Sequence, residues 1–225
     1  MNPTSEALMA AWEFRYACKE FDPVKKISEE DFHIILEGGR LSPSSFGFEP
    51  WEFLVVQNVE LRSVIRAFSW GGQTQIPTAS HLVIILARKP ETMGPNSSYV
   101  RKTIMEDTQH LPENVANARA EKYGIFLKHD FNLLGNERAC FEWVARQCYI
   151  PLANMMTAAA FLGIDSCAIE GFIKADLEKL LSDKGYIDPN EFGAACIVTF
   201  GYRKESSPPF LKTRRPEKEV VHWIN

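Results

Sequence analysis

The chain has 225 residues, 45% hydrophobic and 24% charged, with a formal net charge of −4 at pH 7. Such a composition supports one sizeable core, excludes general disorder and leaves no diffuse basic field for nucleic acid or an anionic membrane. No apolar run is long enough to span a bilayer and the N-terminus lacks a basic-then-apolar leader, so a soluble, cytoplasmic protein is expected.

Taken in order, Arg15 and Lys19 come first, two cations four residues apart. On a helix that spacing would place both on one solvated face. Ser28 with Asp31 three residues on predicts the cap of a helix carrying Phe32, Ile35 and Leu36, until Gly38 and Gly39 weaken it. That helix delivers the chain into Leu-Ser-Pro-Ser-Ser-Phe-Gly-Phe-Glu-Pro-Trp, residues 41–51. Two prolines limit the conformations this loop can lose on ordering, Gly47 permits close approach or positive φ, and Ser44 and Ser45 supply short hydrogen bonds. The loop suits a flat polar ligand, although the same residue types also build ordinary turns.

Residues 52–57 read as a strand, and Leu61, Val64, Ile65 and Phe68 as a helix. The unbroken apolar run 82–87 predicts a strand buried on both faces. Residues 90–112 are polar and turn-rich and 113–134 loosely helical, an excursion expected to cover a site. The pattern over 137–162 is the longest helix. Beyond Gln147 its apolar residues point all round, which predicts burial on every side, and Pro151 removes one of its hydrogen bonds. A short strand (166–169), a helix with Leu177, Leu180 and Leu181, and an apolar strand (194–200) follow. The tail from Pro208 is basic, then apolar at Val220, Val221, Trp223 and Ile224. One α+β domain over residues 1–225 is the simplest parsing.

Common catalytic signatures are absent: no G-x-S-x-G, H-E-x-x-H, Walker A or G-x-G-x-x-G occurs. The five cysteines are widely spaced without a Cys-x-x-Cys pair, and the five histidines fall at unrelated spacings. Reduced thiols and no metal site are expected. Four features remain: Arg15 to Lys19, the serine loop, Ala168-Ile169-Glu170-Gly171-Phe172 at a strand end, and Lys212-Thr213-Arg214. Each has a plain reading alone, a solvated helix face or a loose basic tail among them.

Together, in this order, they resemble the oxygen-insensitive, FMN-dependent nitroreductases from Arg15 to about Pro216. Further matches are Pro43 within the loop, Pro50-Trp51, Ala79-Ser80-His81, Gln147-x-Tyr149 and Gly163-Ile-Asp165. The pattern is most similar to a bacterial subgroup of NAD(P)H-dependent oxidoreductases. The resemblance implies an α+β sandwich with a central mixed sheet flanked by helices, in an intertwined homodimer with FMN at the subunit interface. In that architecture residues 208–225 wrap the partner and residues 90–134 cover the site.

It further implies that Arg15, Lys212 and Arg214 hold the FMN phosphate and that Ser44 and Ser45 follow its polar edge. Lys19 lies near N1 and O2 of the ring, and the backbone amides of Glu170 and Gly171 face N5 and O4. Gln147 stands near the ring or ribityl chain, with Ala17, Pro43, Gly47, Gln75, Ala168 and Ile169 completing the cofactor site. Phe126 or Phe131 is the expected aromatic to stack on the acceptor, with core packing the equal alternative for either. The implied reaction is ping-pong: NADH or NADPH reduces the flavin at N5, and a nitroaromatic, quinone or related electron-poor acceptor takes the electrons. Ala17, Gly47, Gly72, Gln75 and Ala168 depart from the residues many relatives carry. Other flavin enzymes on the same fold (a flavin reductase, a dehalogenase, an enone reductase) and a non-catalytic FMN-binding dimer are the alternatives.

Overall fold

A computed structural model describes residues 3–206 and 211–224. After α1 (Pro3–Phe14) the chain runs without helix or named strand to Ser28, whose hydroxyl accepts from the Asp31 N–H and starts α2 (Glu29–Arg40). Three acidic residues in the first turn complement the helix dipole. The helix runs through Gly38 and Gly39 because both are needed where α2 lies against α6 (Glu137–Phe161). A Cβ on Gly39 would come within 2.2 Å of Met155 Cε, and one on Gly38 within 3.3 Å of Ala158 Cβ.

Four strands, β1 (Trp51–Val56), β2 (His81–Arg88), β3 (Asp165–Ile169) and β4 (Phe192–Gly201), form a sheet in the order β1-β2-β4-β3. Every pairing is antiparallel, which corrects the expected mixed sheet. The reason lies in the connection after β1. Helices α3 (Val59–Ala67) and α4 (Gln75–Thr78) return the chain to the end of the sheet it left, so Val56 pairs with Leu82 without a crossover. The isolated bridge between Ala17 and Ser166 is parallel.

Strand β2 is buried from Leu82 to Ala87. Its alternation divides two cores: Val83, Ile85 and Ala87 join the cluster under α2 and α6, whereas Leu82, Ile84 and Leu86 join that under α3 and α7 (Lys174–Asp183).

The excursion belongs to the first core. A π-helical stretch (Tyr99–Thr108), α5 (Glu113–Ile125) and a π-helical turn (Phe126–Asp130) bury Val100, Ile104, Met105, Ala116, Ala120, Tyr123 and Leu127 with α2 and α6. The expected all-round burial of α6 is not met within one chain. The sheet and α2 cover two sides, while Tyr149, Ala153 and Phe161 stay exposed. Val220, Val221, Trp223 and Ile224 of the tail are exposed as well. No described helix is long and apolar enough to cross a membrane.

Candidate functional site

The serine loop follows α2 directly. Ser42 donates to the Gly38 carbonyl and accepts from Asn154 Nδ2 of α6 (2.9 and 2.8 Å). Pro43 is exposed. Ser44 Oγ accepts from the Glu49 N–H at 2.8 Å, and the Ser45 N–H donates to Gln147 Oε1 at 2.9 Å. The second bond brings together two predicted site residues 102 positions apart. Phe46, Gly47 and Glu49 all have positive φ. Donors from residues 90–134, namely Tyr99, Gln109 and Arg119, engage the carbonyls on this stretch. Nothing in their local pattern marked these three, because their partner is a loop 50 or more residues away.

Residues 15–19 lie beyond α1 and are not helical: Ala17 forms an isolated bridge with Ser166 and the chain bends at Lys19. Arg15 is half-buried and Ala17 and Lys19 are exposed, whereas Cys18 is buried and donates its N–H to the Ser166 carbonyl at 3.1 Å. Arg203 lies between the rings of Phe14 and Tyr16, 4.4 and 4.8 Å from their centroids, and pairs with buried Asp165 at 2.7 Å. Lys212 Nζ donates to the Trp12 carbonyl. Burial first, then Arg15 and Arg214, push the Lys212 amine below its usual value, with Glu13 opposing. Trp12 also lines a cavity with Arg15, which brings Lys212 and Arg15 to the same end of α1. Among the described residues, Arg15, Lys19, Lys212 and Arg214 have no carboxylate within ion-pair distance.

At the end of β3, Ala168 is exposed and Ile169 buried. The Gly171 carbonyl accepts from the Gly71 N–H at 2.7 Å. Glu170 accepts from the Tyr149 hydroxyl. Burial first, then this bond, raise the Tyr149 phenol, which keeps it a donor. Buried Gln75 reaches Cys167 Sγ at 3.9 Å, and the Lys19 charge opposes the burial that raises that thiol, so both adjoin β3. Tyr149 borders two cavities. One, about 500 Å³, is lined by Phe141, Arg146, Glu170, Phe172 and Lys174; the other, about 360 Å³, by Trp12, Arg15, Leu152 and Met156. Through Gln147 and Tyr149, α6 connects the serine loop with the 170–171 turn.

Phe126 packs into an aromatic cluster, 5.3 Å from Phe46 and 5.4 Å from Trp143. Phe131, 4.5 Å from Phe126, is the half-exposed member of the pair. No cluster of three or more His, Cys, Asp or Glu able to hold a metal occurs among the described residues, and all five cysteines are free and buried.

The family model described as Nitroreductase family matches residues 13–202, a span that holds the serine loop, the 15–19 segment and the 168–171 turn. The chain belongs to the nitroreductase family. A Staphylococcus epidermidis protein named "Putative NAD(P)H nitroreductase" is 47% identical over 224 residues, covering 100% of both chains. The solved structure of a Bacillus subtilis "putative nitroreductase" superposes with a TM-score of 0.78 at 19% identity, over 98% of this chain and 100% of that one. A "putative nitroreductase" of Exiguobacterium sibiricum, solved in complex with FMN, gives a TM-score of 0.73 at 18% identity, over 96% and 97%. The antiparallel sheet and its helices are thus the nitroreductase fold.

Proposed function

We propose that this nitroreductase-family chain is an NAD(P)H-dependent oxidoreductase that holds FMN and reduces small electron-poor acceptors, nitroaromatics or quinones, as a homodimer in the cytoplasm. The observation that carries the reading is the set Arg15, Lys212 and Arg214: Lys212 bonds the carbonyl of Trp12, which lines one cavity with Arg15, and none of the three has a carboxylate within ion-pair distance among the described residues, in a chain of net charge −4. A terminal phosphate with nearly two negative charges fits that donor set, and two arginine forks suit its oxygens. FMN, when bound, supplies the two-electron chemistry, accepting hydride from the nicotinamide and reducing the acceptor.

The chain's own work is binding, orientation and charge. Ser44 and Ser45, fixed by Glu49 and Gln147, present the loop to the polar edge of the ligand. Lys19 offers a cation unpaired among the described residues, at the place where charge would accumulate. The 170–171 turn, braced by Gly71 and Tyr149, keeps its backbone in one position, and no side-chain nucleophile is required. Phe131 is the better placed of the two acceptor-stacking candidates because Phe126 is occupied by its own cluster. The exposed apolar faces of α6 and of the tail support a dimer, and five buried free thiols accord with a reducing compartment.

Absorbance of the purified protein tests the reading. Flavin bands that NADH or NADPH bleaches under anaerobic conditions are expected. A colourless protein that FMN does not reconstitute would overturn it, and a yellow protein that neither nicotinamide reduces would leave a flavin-binding dimer without turnover.

A further inference from the structure

We propose that Gln109 and Arg119, aided by Tyr99, are positioning residues of the candidate flavin site, holding the serine loop in a left-handed backbone conformation that it does not keep alone. The inference rests on the flavin reading given above and assigns residues 90–134 a role apart from covering the site.

Three of the four residues from 46 to 49 have positive φ: Phe46 at 58°, Gly47 at 65° and Glu49 at 46°. Gly47 adopts this region freely. For Phe46 and Glu49 it is strained, and such a conformation persists only where the surroundings over-determine it. Here they do. The carbonyl of Phe46 accepts from Arg119 Nη2 at 2.6 Å and that of Gly47 from Gln109 Nε2 at 2.9 Å, while the Tyr99 hydroxyl lies 2.8 Å from the carbonyls of both Phe48 and Glu49. Three donors from the same segment thus serve this stretch: Arg119 on Phe46, Gln109 on Gly47, and the single Tyr99 proton, which Phe48 and Glu49 share, the Glu49 carbonyl also accepting the Trp51 N–H at 2.7 Å.

The amide orientation of Gln109 follows from its neighbours. Arg119 Nη1 can only donate, so it requires Gln109 Oε1, at 3.1 Å, and the amide nitrogen is left for the loop. Gly47 is needed for room as well as for φ, since a Cβ there would stand 3.1 Å from Gln109 Nε2. The π-helical stretch ends where the Gln109 N–H donates to the Ile104 carbonyl, five residues back. π-Turns are rare and collect at functional sites. In this chain they set the residue that supports the loop. From the other side Gln147 holds the Ser45 N–H, so the loop is fixed between α6 and the excursion.

The test uses Arg119→Met and Gln109→Met, which keep much of each side chain's stem and remove the donors, with Lys122→Met on exposed α5 surface as control. Two quantities are read: the FMN dissociation constant by fluorescence titration, and amide hydrogen exchange at Gly47, Phe48 and Glu49 in flavin-free protein. Both donor variants should bind FMN about tenfold more weakly or worse and exchange those amides faster, with the control at wild-type values. Adding Glu49→Asn to Arg119→Met should recover part of the affinity, because Asn enters the left-handed region more readily than Glu. Arg119→Lys, which keeps a donor, should fall between and replaces Arg119→Met if that protein does not fold. Wild-type affinity and wild-type exchange in the donor variants would overturn the proposal, as would lowered melting temperatures with unchanged FMN affinity. Wild-type protein that binds no FMN, in which the donor variants still speed loop exchange, would overturn the flavin reading and leave the support of the loop standing.

Discussion

Gly71 and Gly171 stand backbone to backbone: beyond their 2.7 Å hydrogen bond, a Cβ built on Gly171 would lie 2.8 Å from Gly71 Cα and 3.1 Å from Trp70 Cδ2. Side-chain rotation cannot relieve a clash with backbone. Gly171→Ala should therefore push the 170–171 turn away from residues 70–72, at a cost of about 1–3 kcal/mol in stability. Weaker FMN binding is expected with it. Gly94→Ala, where a Cβ would meet nothing within 4 Å, is the control. Equal urea midpoints and equal flavin affinity in the two variants would show that the close approach is dispensable.

The cation set predicts an ordering of arginines and lysines by ligand rather than by exposure. Among the described residues Arg214 bonds only the neighbouring Thr213 carbonyl, at 2.7 Å, and it is exposed in the single chain, as is Lys122. Charge-assisted contacts to a phosphate contribute roughly 1.5–3 kcal/mol and a solvated charge little. Arg214→Ala should lose flavin on gel filtration while Lys122→Ala retains it. Identical retention would remove Arg214 from the phosphate site.

Much of this was legible because it is local. The Ser28 cap, the two-faced burial of 82–87 and the length of α6 follow from side-chain chemistry and periodicity within a few residues of each element. Where the reading stopped, the cause is tertiary. Gly38 and Gly39 look like helix breakers until Met155 and Ala158 occupy the space their side chains would fill. Arg15 and Lys19 keep a helical spacing, yet α1 stops at Phe14 and Ala17 bridges Ser166, so the segment is not helical. π-Turns leave no hydrophobic period to find, and the charge of Arg119 gives no sign that its partner is the Phe46 carbonyl. The family was legible from the order of its motifs along the chain, whereas the hydrogen bonds that hold the serine loop were not.

His81 predicts a particular acid sensitivity. Its ring stacks on Phe32 at 3.7 Å, and Nδ1 lies 3.0 Å from Ser80 Oγ, which itself accepts the Ile27 N–H. Burial first, then Arg62 and Lys26, lower the imidazole from 6.5 to about 4. Between those values the unfolded chain binds more protons than the folded one. The stability from a neutral His81 is thus complete above 6.5 and is lost as pH falls toward 4. Urea midpoints should drop between about pH 7.5 and about pH 5, and drop less in His81→Gln, which retains an acceptor. Equal drops in both proteins would place the sensitivity elsewhere.

The exposed apolar residues predict the assembly. Trp12, Phe161, Trp223 and Ile224 are 47%, 50%, 83% and 97% exposed in a single chain. Covering each large side chain is worth about 1.5–3 kcal/mol, enough in combination for a dimer that persists on dilution. Sedimentation should report twice the 25.6 kDa chain mass, and replacing Trp223 and Ile224 by Ser should raise the dissociation constant. A folded, flavin-loaded monomer would contradict the homodimer.

Lys19 carries the prediction closest to the chemistry. The residue is exposed, at a bend, without a carboxylate partner among the described residues, and near enough to β3 for its charge to act on Cys167. Lys19→Met keeps much of the stem and removes the charge, so bound FMN should lose more stabilisation when reduced than when oxidised. The midpoint potential should fall by about 30 mV, equivalent to roughly 1.4 kcal/mol for a two-electron couple. Reduction by NAD(P)H should slow with it, and passage of electrons to a strong acceptor should slow less. Stopped-flow measurement of the two half-reactions, with spectroelectrochemistry on the same samples, separates these effects. Full FMN occupancy with an unchanged potential and an unchanged reductive half-reaction would make Lys19 a solvated charge with no part in tuning the flavin.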